Sequence, residues 1–223
     1  MAKSQIGSAF GLVTTITTRL TTGIKGNEEA VLGLSEDTKN RLVDELVAKL
    51  ITEATIVPPV PEPLWRKIND TTISVNLDFS PKLPFDGARV ERHEGHGWFG
   101  VEKRADGLYV GGRKVELYLS QRQLNGKTIK GYELRDEVTK KVVLNANILD
   151  ALYENQHLIP EDWKRDDKGN VRYIFFWGTI YRNPETDSLY VRCLYFNDGA
   201  WHRFYYWLDI DWDDNSPAAL LAS

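Results

Sequence analysis

Apolar side chains in residues 1–56 recur at the spacing of an amphipathic α-helix. The positions that share one face of this predicted helix are Leu42, Val43, Leu46, Val47, Leu50 and Ile51. Ser35 precedes them as an N-cap, and acidic residues follow it where the helix dipole favours negative charge. Weaker helical spacing upstream, which ends near Ile24, predicts a second helix and therefore a helical hairpin.

A cluster of prolines follows the predicted hairpin, at positions Pro58, Pro59, Pro61 and Pro63. Residues 57–64 are predicted to form an extended linker, because proline neither continues a helix nor occupies a central strand. The spacing of Pro58 and Pro61 would also suit docking into an aromatic groove. The linker sets the predicted boundary between residues 1–56 and a β-rich domain at residues 65–223.

After the linker, apolar and polar residues alternate with a period of two, which predicts β-strands. The first such run has apolar residues at Ile73, Val75, Leu77 and Phe79. Further short strands are expected at residues 89–93, 98–102, 108–110 and 114–119. Ser120 and Gln123 have the spacing of a capping box, which predicts a short helix at this point.

The end of the domain is predicted to be a helix followed by an aromatic β-meander. Asn145 is a candidate N-cap for a helix that carries Ile148 and Leu149 on its apolar stripe. The three strands of the meander are expected at residues 171–182, 189–196 and 200–208. Ser216 and Pro217 have the pattern of a helix start, so a last short helix is expected there. The predicted fold class is α+β, with a mainly antiparallel β domain behind the helical hairpin.

Strict alternation sorts the meander into two faces. One face is predicted to be core and contains Ile174, Phe176, Ile180, Val191, Cys193, Tyr195, Phe204, Tyr206 and Leu208. The other face is also rich in aromatic residues and adds two arginines. Its candidate binding residues are Trp177, Tyr181, Arg192, Trp201, Arg203, Tyr205 and Trp207.

More than half of the aromatic side chains of the chain lie in residues 171–212, so their enrichment there needs a cause. The first explanation is a sheet covered on both sides, by the helix around Ile148 or by the N-terminal helices. The second is a platform on which bases or sugars stack, with arginine adding cation–π and phosphate contacts. The third is a protein interface, where Trp, Tyr and Arg are common anchors.

His93, Glu94 and His96 form a compact group of potential metal-ligand side chains. Two histidines and a carboxylate on a tight turn suit zinc, although the spacing differs from the helical HExxH motif and a fourth ligand is not identifiable. A solvated hairpin turn is the alternative. Cys193 is the single cysteine, and alternation places it among core residues rather than in a reactive site.

Charge and composition restrict the classes of function. The formal net charge of −4 argues against a dedicated nucleic-acid-binding protein, which usually has a basic surplus. A membrane span would need about 18 continuous apolar residues, and no stretch approaches that length. Motifs for a nucleophile elbow, a phosphate loop or a dinucleotide site are missing, so no cofactor is expected. A lone cysteine fits a reducing compartment, and the cytoplasm is the expected location.

From about residue 111 to the end, the sequence resembles a type of uncharacterised bacterial protein. The segments that carry the resemblance are GGRKVELYLS, VLNANILDALYENQHLIPEDWK, YIFFWGTIYR, LYVRCLYF and WLDIDWDDNSPAALLAS. Proteins of this type combine a helix and an I-P-E-x-W turn with the same aromatic strands. The resemblance covers about half of the chain and implies no activity, substrate or ligand.

Three hypotheses for function follow. The first is a non-enzymatic binding or interaction protein with a protein partner, in which the aromatic and arginine face recognises the partner and the N-terminal helices mediate oligomerisation. The second is an accessory protein that binds single-stranded nucleic acid through the same face. The third is a metal-dependent enzyme built on His93, Glu94 and His96.

Overall fold

The computed structural model of the protein describes residues 33–55 and 62–222. Contacts within the chain divide it into two compact units, Met1–Val60 and Pro61–Ser223. The upstream helix of the predicted hairpin and most of the predicted linker at residues 57–64 lie outside the described residues. The second predicted helix is present as α1 (Glu36–Thr55). Its first turn is capped by Ser35, whose Oγ accepts a hydrogen bond from the backbone N–H of Thr38 at 3.3 Å.

The second unit is built on β-strands, which confirms the α+β class and the mainly antiparallel sheet. Its strands are β1 (Trp65–Lys67), β2 (Thr72–Asn76), β3 (Arg89–His93), β4 (Trp98–Arg104), β5 (Gly107–Val110), β6 (Arg113–Tyr118), β7 (Ile129–Lys130), β8 (Ile174–Arg182), β9 (Leu189–Asn197), β10 (Ala200–Trp207), β11 (Asp211–Trp212) and β12 (Ala218–Leu221). Its α-helices are α2 (Gly131–Val138) and α3 (Ala146–Glu154). The predicted capping box of Ser120 and Gln123 is also present, at the start of a short 3-10 helix.

Ten of these strands form one curled sheet in the order β1-β2-β4-β5-β6-β12-β8-β9-β10, with β3 paired to β8 off this path. All neighbours are antiparallel except β12 and β8, which run parallel. Strands β7 and β11 form a separate two-stranded ribbon. The meander predicted at the end of the chain is therefore β8-β9-β10, and β10 lies at one end of the large sheet.

Helix α3 is enclosed by the curl of the sheet. Side chains from β2, β4, β5 and β6 and side chains from β8 and β9 belong to one core cluster with Ile148, Leu149 and Leu152 of the helix. As predicted, Asn145 caps this helix, and its Oδ1 accepts hydrogen bonds from the backbone N–H groups of Asn147 and Ile148. Helix α3 therefore covers this face of β8 and β9, which was one of the explanations for the aromatic enrichment of the meander.

A second core cluster lies on the opposite face of β8 and β9, under helix α2 and the β7-β11 ribbon. Leu134 and Val138 of α2 are fully buried there. The two residues are four positions apart, so they share one face of the helix. Cys193 belongs to the same cluster and is fully buried, and this burial raises the pKa of its thiol.

The predicted C-terminal helix is wrong, because residues 218–221 form strand β12. This strand fills the slot between β6 and β8, where Ala218 pairs with both Tyr118 and Phe175. Alanine and leucine favour helices. Here the backbone hydrogen bonds to β6 and β8 and the burial between them outweigh that preference. A turn at Asp214 and Asn215 precedes Ser216 and Pro217, which lead into the strand.

Strict alternation also fails along β8, and this failure corrects the predicted faces. Phe175 pairs with Cys193 and Ile180 pairs with Val191, so five steps along β8 match two steps along β9. Because of this irregularity, side chains before and after it that strict alternation would place on one face of the sheet lie on opposite faces. Ile174 and Phe176 therefore lie on the α3 side, whereas Phe175, Trp177 and Ile180 lie on the α2 side.

Gly178 lies inside this irregular segment of β8 and touches the start of α3. Its N–H donates to Leu144 O at 2.9 Å, and its carbonyl accepts from the N–H of Glu94 at 2.7 Å. A Cβ at this position would lie 3.0 Å from both Cα and the backbone N of Asn145. The absence of a side chain therefore lets the capped end of α3 rest directly on the sheet.

We expect Gly178→Ala to lower the free energy of unfolding by about 1–3 kcal/mol, the usual cost of overpacking a rigid contact. Urea denaturation followed by tryptophan fluorescence measures the change. Gly100→Ala is the matched control, because Gly100 also lies in a strand but a Cβ there meets no atom within 4 Å. Equal stability of the two variants would show that α3 can shift to accommodate the methyl group.

Candidate functional site

A buried carboxylate links helix α3 to the meander. Asp150 of α3 exposes 1% of its side chain and accepts two hydrogen bonds from Arg192 of β9, both at 2.8 Å. Its Oδ1 also accepts a hydrogen bond from Nη1 of Arg203 of β10 at 2.6 Å. One carboxylate therefore holds two guanidinium groups from neighbouring strands.

The strand register explains why the two arginines meet. Tyr205 pairs with Arg192, and Arg203 pairs with Leu194, so the arginines are diagonal neighbours on the same face of β9 and β10. Diagonal neighbours on an antiparallel pair are within reach of long side chains. Asp150 is set opposite them by the packing of α3 against both strands.

Burial and ion pairing shift the pKa of Arg192 in opposite directions. Removal from water by itself lowers its pKa, but the hydrogen bonds and the charge of Asp150 outweigh this effect and raise the pKa above the usual arginine value. Arg192 also donates to Lys82 O at 3.2 Å, and so does the hydroxyl of Tyr181 at 3.1 Å. Burial raises the pKa of Tyr181 to about 12, so its hydroxyl remains a donor at physiological pH.

An open cleft of about 250 Å³ lies beside this ion cluster. Its lining residues are Lys82, Leu83, Pro84, Arg192, Arg203, Phe204 and Tyr205. Arg203 is the partly exposed member of the cluster, with 31% of its side chain accessible, and its guanidinium lies 4.1 Å from the ring centroid of Tyr153. The ring of Tyr205 packs against those of Phe85 and Tyr190 and forms an aromatic wall.

Positive charge exceeds negative charge around the cleft. Lys82 is paired with Glu154 at 2.7 Å, and the same carboxylate accepts a hydrogen bond from Nε1 of Trp65 at 2.7 Å. Asp150 is shared by two arginines. These five charged groups comprise three cations and two carboxylates, so one positive charge remains for a ligand.

The candidate binding residues occupy four different places in the structure. Arg192, Arg203 and Tyr205 meet at the cleft. Tyr181 and Trp201 lie buried on the α3 side of the sheet, and Trp207 is 40% exposed near the end of β10. Trp177 is corrected: it is fully buried on the α2 side, because the irregularity in β8 turns it away from the other candidates.

Sequence reasoning missed Asp150, Lys82 and Glu154. Asp150 stands next to Leu149 in an otherwise apolar helix stripe, where a carboxylate is costly to bury without a cation. Two arginines on the second aromatic face of the predicted meander supply those cations, and this combination was the available signal. Lys82 comes from the connection between β2 and β3, and no local pattern indicated its place.

The predicted metal group does not converge. His93 points inward, with Nε2 2.9 Å from Leu77 O and Nδ1 2.7 Å from the hydroxyl of Thr179. His96 is 91% exposed and lies beside Asp78, whereas Glu94 is paired with Arg92. Over residues 33–55 and 62–222, no group of three His, Cys, Asp or Glu side chains could hold a metal ion. His93 is the last residue of β3, whereas His96 lies in the loop that follows, so the strand does not place the two histidines on one face.

His93 instead helps to fix α3 in the sheet. The backbone N–H of Ala146 donates to Oγ1 of Thr179 at 3.0 Å, and this oxygen is also bonded to Nδ1 of His93. The tautomer of His93 with a proton on Nε2 satisfies all of these hydrogen bonds. The hydroxyl of Thr179 then donates to Nδ1, and Nε2 donates to Leu77 O. Both ring nitrogens are engaged by the protein itself.

Comparison with known proteins gives no further assignment: no family model, no curated protein and no solved structure matches the chain. The resemblance of residues 111–223 to uncharacterised bacterial proteins stays a prediction. None of the helices in the described part of the chain has the length and apolar character needed to cross a membrane.

We expect Asp150→Asn to lower the free energy of unfolding by about 3–5 kcal/mol, because it leaves buried Arg192 without its counter-charge. Guanidinium chloride denaturation measures the loss. Asp136→Asn is the control, since Asp136 pairs with Arg135 in an exposed position. A loss for Asp150→Asn no larger than that of the control would contradict the assigned role of the carboxylate.

Proposed function

We propose that the protein is a binding protein that recognises a protein partner through an anionic group, which enters the cleft beside Arg203. The observation that carries this proposal is the shared carboxylate of Asp150, which holds two arginines in place but neutralises only one of them. A fixed guanidinium with unmatched charge is prepared for a carboxylate, and its geometry favours bidentate pairing.

The surroundings of Arg203 support binding of a group larger than a simple ion. The wall formed by Tyr205 offers an apolar surface next to the positive charge, and Leu83 and Phe204 are 51% and 47% exposed at the same cleft. Exposed aromatic and aliphatic side chains around an arginine are typical of the centre of a protein interface.

A protein partner is favoured over single-stranded nucleic acid. Nucleic-acid affinity depends on several phosphate contacts along a basic groove, whereas two of the three cations at this cleft are matched by Asp150 and Glu154. The net charge of −4 works against a polyanion at longer range. Binding is proposed rather than catalysis, since Lys82 and Arg192 of the lining are already engaged by the carboxylates of Glu154 and Asp150.

The other predicted properties stay part of the proposal. Association between copies through the N-terminal helices is supported by α1, where Leu42, Val43, Leu46 and Val47 are between 37% and 57% exposed. The buried thiol of Cys193 is compatible with the cytoplasm as the location.

Benzoate is a suitable probe of the cleft, because it joins a carboxylate to a flat ring that can pack on Tyr205. We expect saturable changes in the NMR signals of Arg203 and Tyr205 with benzoate and none with benzamide, which lacks the charge. Arg203→Gln should weaken benzoate binding about tenfold, the effect of losing one charge-assisted hydrogen bond.

Arg104→Gln is the matched control variant. Arg104 is also paired with a carboxylate, that of Glu102, and lies 3.9 Å from the ring centroid of Tyr109, but it is outside the cleft. Equal effects of benzoate and benzamide, or of the two substitutions, would refute the proposed anion site. Tighter binding of an oligo-dT strand than of benzoate, with a steep loss of affinity in salt, would assign the cleft to nucleic acid instead.

A further inference from the structure

Strand β10 is an open edge of the large sheet. It is the last strand in the sheet order, and all eight of its residues, Ala200–Trp207, pair with β9 in an unbroken register. In the described part of the chain, no strand pairs with its outer side. A long, regular edge of this kind presents a row of backbone donors and acceptors.

The hydrogen-bond pattern identifies which backbone groups face outward. The N–H of Leu208 donates to Leu189 O at 2.9 Å, which places Leu208 among the residues bonded to β9. Because antiparallel pairs alternate, residues 202, 204 and 206 face β9 in the same way. The residues whose backbone N–H and C=O groups point away from β9 are Trp201, Arg203, Tyr205 and Trp207. Within residues 33–55 and 62–222, their outward N–H and C=O groups have no hydrogen-bond partner.

The other edges of the same sheet are protected. Strand β1 has only three residues, and two of them are the charged Arg66 and Lys67. Strand β3 is interrupted by a register shift between Val90 and Arg92. Short length, charge and irregular register are the usual defences against pairing with another chain. Strand β10 has eight residues, with no proline, no lysine and no register shift. Its one arginine, Arg203, is drawn to Asp150 on the α3 side of the sheet, so it does not guard the edge as Arg66 and Lys67 do on β1.

The cleft beside Arg203 opens at this edge. Arg203 and Tyr205 reach it from the α3 side of β10, and Phe204, whose side chain starts on the other side, lines it as well. A strand added to β10 would project alternate side chains to the α3 side, at about 5 Å from those of β10. One of them would enter the cleft, where the unmatched positive charge selects a carboxylate.

We propose that β10 accepts an extended segment of a partner protein as an additional strand, with an aspartate or glutamate of that segment bound beside Arg203. The backbone of the segment supplies affinity, and the cleft supplies selectivity for the acidic side chain. The exposed rings of Phe204 and Trp207 favour apolar neighbours on the segment. This inference deepens the proposed function and rests on it.

The experiment uses two displayed libraries of seven-residue peptides, one with a central Glu and one with a central Gln, selected on the full-length protein. We expect enrichment of the Glu library by about tenfold over the Gln library. Hydrogen exchange with the selected peptide is the second readout. The amides of Arg203 and Tyr205 should exchange rapidly in the free protein and slow at least tenfold on binding, an effect that side-chain docking alone would not produce.

Two substitutions at position 205 distinguish the contribution of the backbone N–H to peptide binding from that of the aromatic ring. Tyr205→Ala removes the ring and keeps the outward N–H, whereas Tyr205→Pro removes both. Proline is tolerated on an edge strand where the N–H faces solvent, so both variants should keep the circular dichroism spectrum of the parent protein. We expect the proline variant to bind the selected peptide at least tenfold more weakly than the alanine variant.

Distinct outcomes would overturn the strand or the anion site. Benzoate binding without enrichment of either library, or a bound peptide that leaves the Arg203 and Tyr205 amides in fast exchange, refutes strand addition and leaves the anion site intact. Loss of both benzoate and peptide binding refutes both proposals. Slow exchange of these amides in the free protein would also refute binding of a partner segment. If the protection rises with protein concentration, a second copy of the protein pairs with β10. If it does not, another part of this chain pairs with β10.

Discussion

The second unit depends on how α3 is held inside the curled sheet. Apolar contacts enclose the helix, but polar contacts determine its position along the strands. At its start, Asn145 caps the helix and donates from Nδ2 to Glu94 O, and Thr179 binds the N–H of Ala146. In its middle, Asp150 receives Arg192 and Arg203. Because a buried charge without its partner is strongly unfavourable, any sliding of the helix would be opposed by the whole set.

Local sequence pattern predicted much of this architecture. The cap at Asn145 and the capping box at Ser120 are set by neighbouring residues alone, so their spacing was informative. Strand β3 was predicted with its observed bounds because its surroundings contain clear turn residues. Strand β12 was not, since its conformation is imposed by β6 and β8, which are far away in sequence. Pairing between distant segments leaves no trace in a short window of sequence.

The sequence predicted the arginines and Tyr205 of the candidate site but not its carboxylates. Arg192, Arg203 and Tyr205 were placed on one face because β9 and β10 keep strict alternation. Trp177 was placed there wrongly, because an irregularity in β8 reverses the alternation of side chains. Gly178, next to Trp177, was the available signal, since a glycine inside a strand often marks a bulge. The acidic half of the site, Asp150 and Glu154, lies on a helix separated in sequence from the meander. Alternation describes one strand at a time and so could not reveal the counter-charges.

The single cysteine has a practical consequence. Cys193 lies on the central strand of the meander, opposite Phe204 and Phe175, and is inaccessible to solvent. A thiol reagent can reach it only when β10 or the α2 layer separates from the sheet. The rate of thiol labelling in the unmodified protein therefore reports how often this part of the molecule opens. The chain carries its own probe of local opening, with no competing cysteine to complicate the signal.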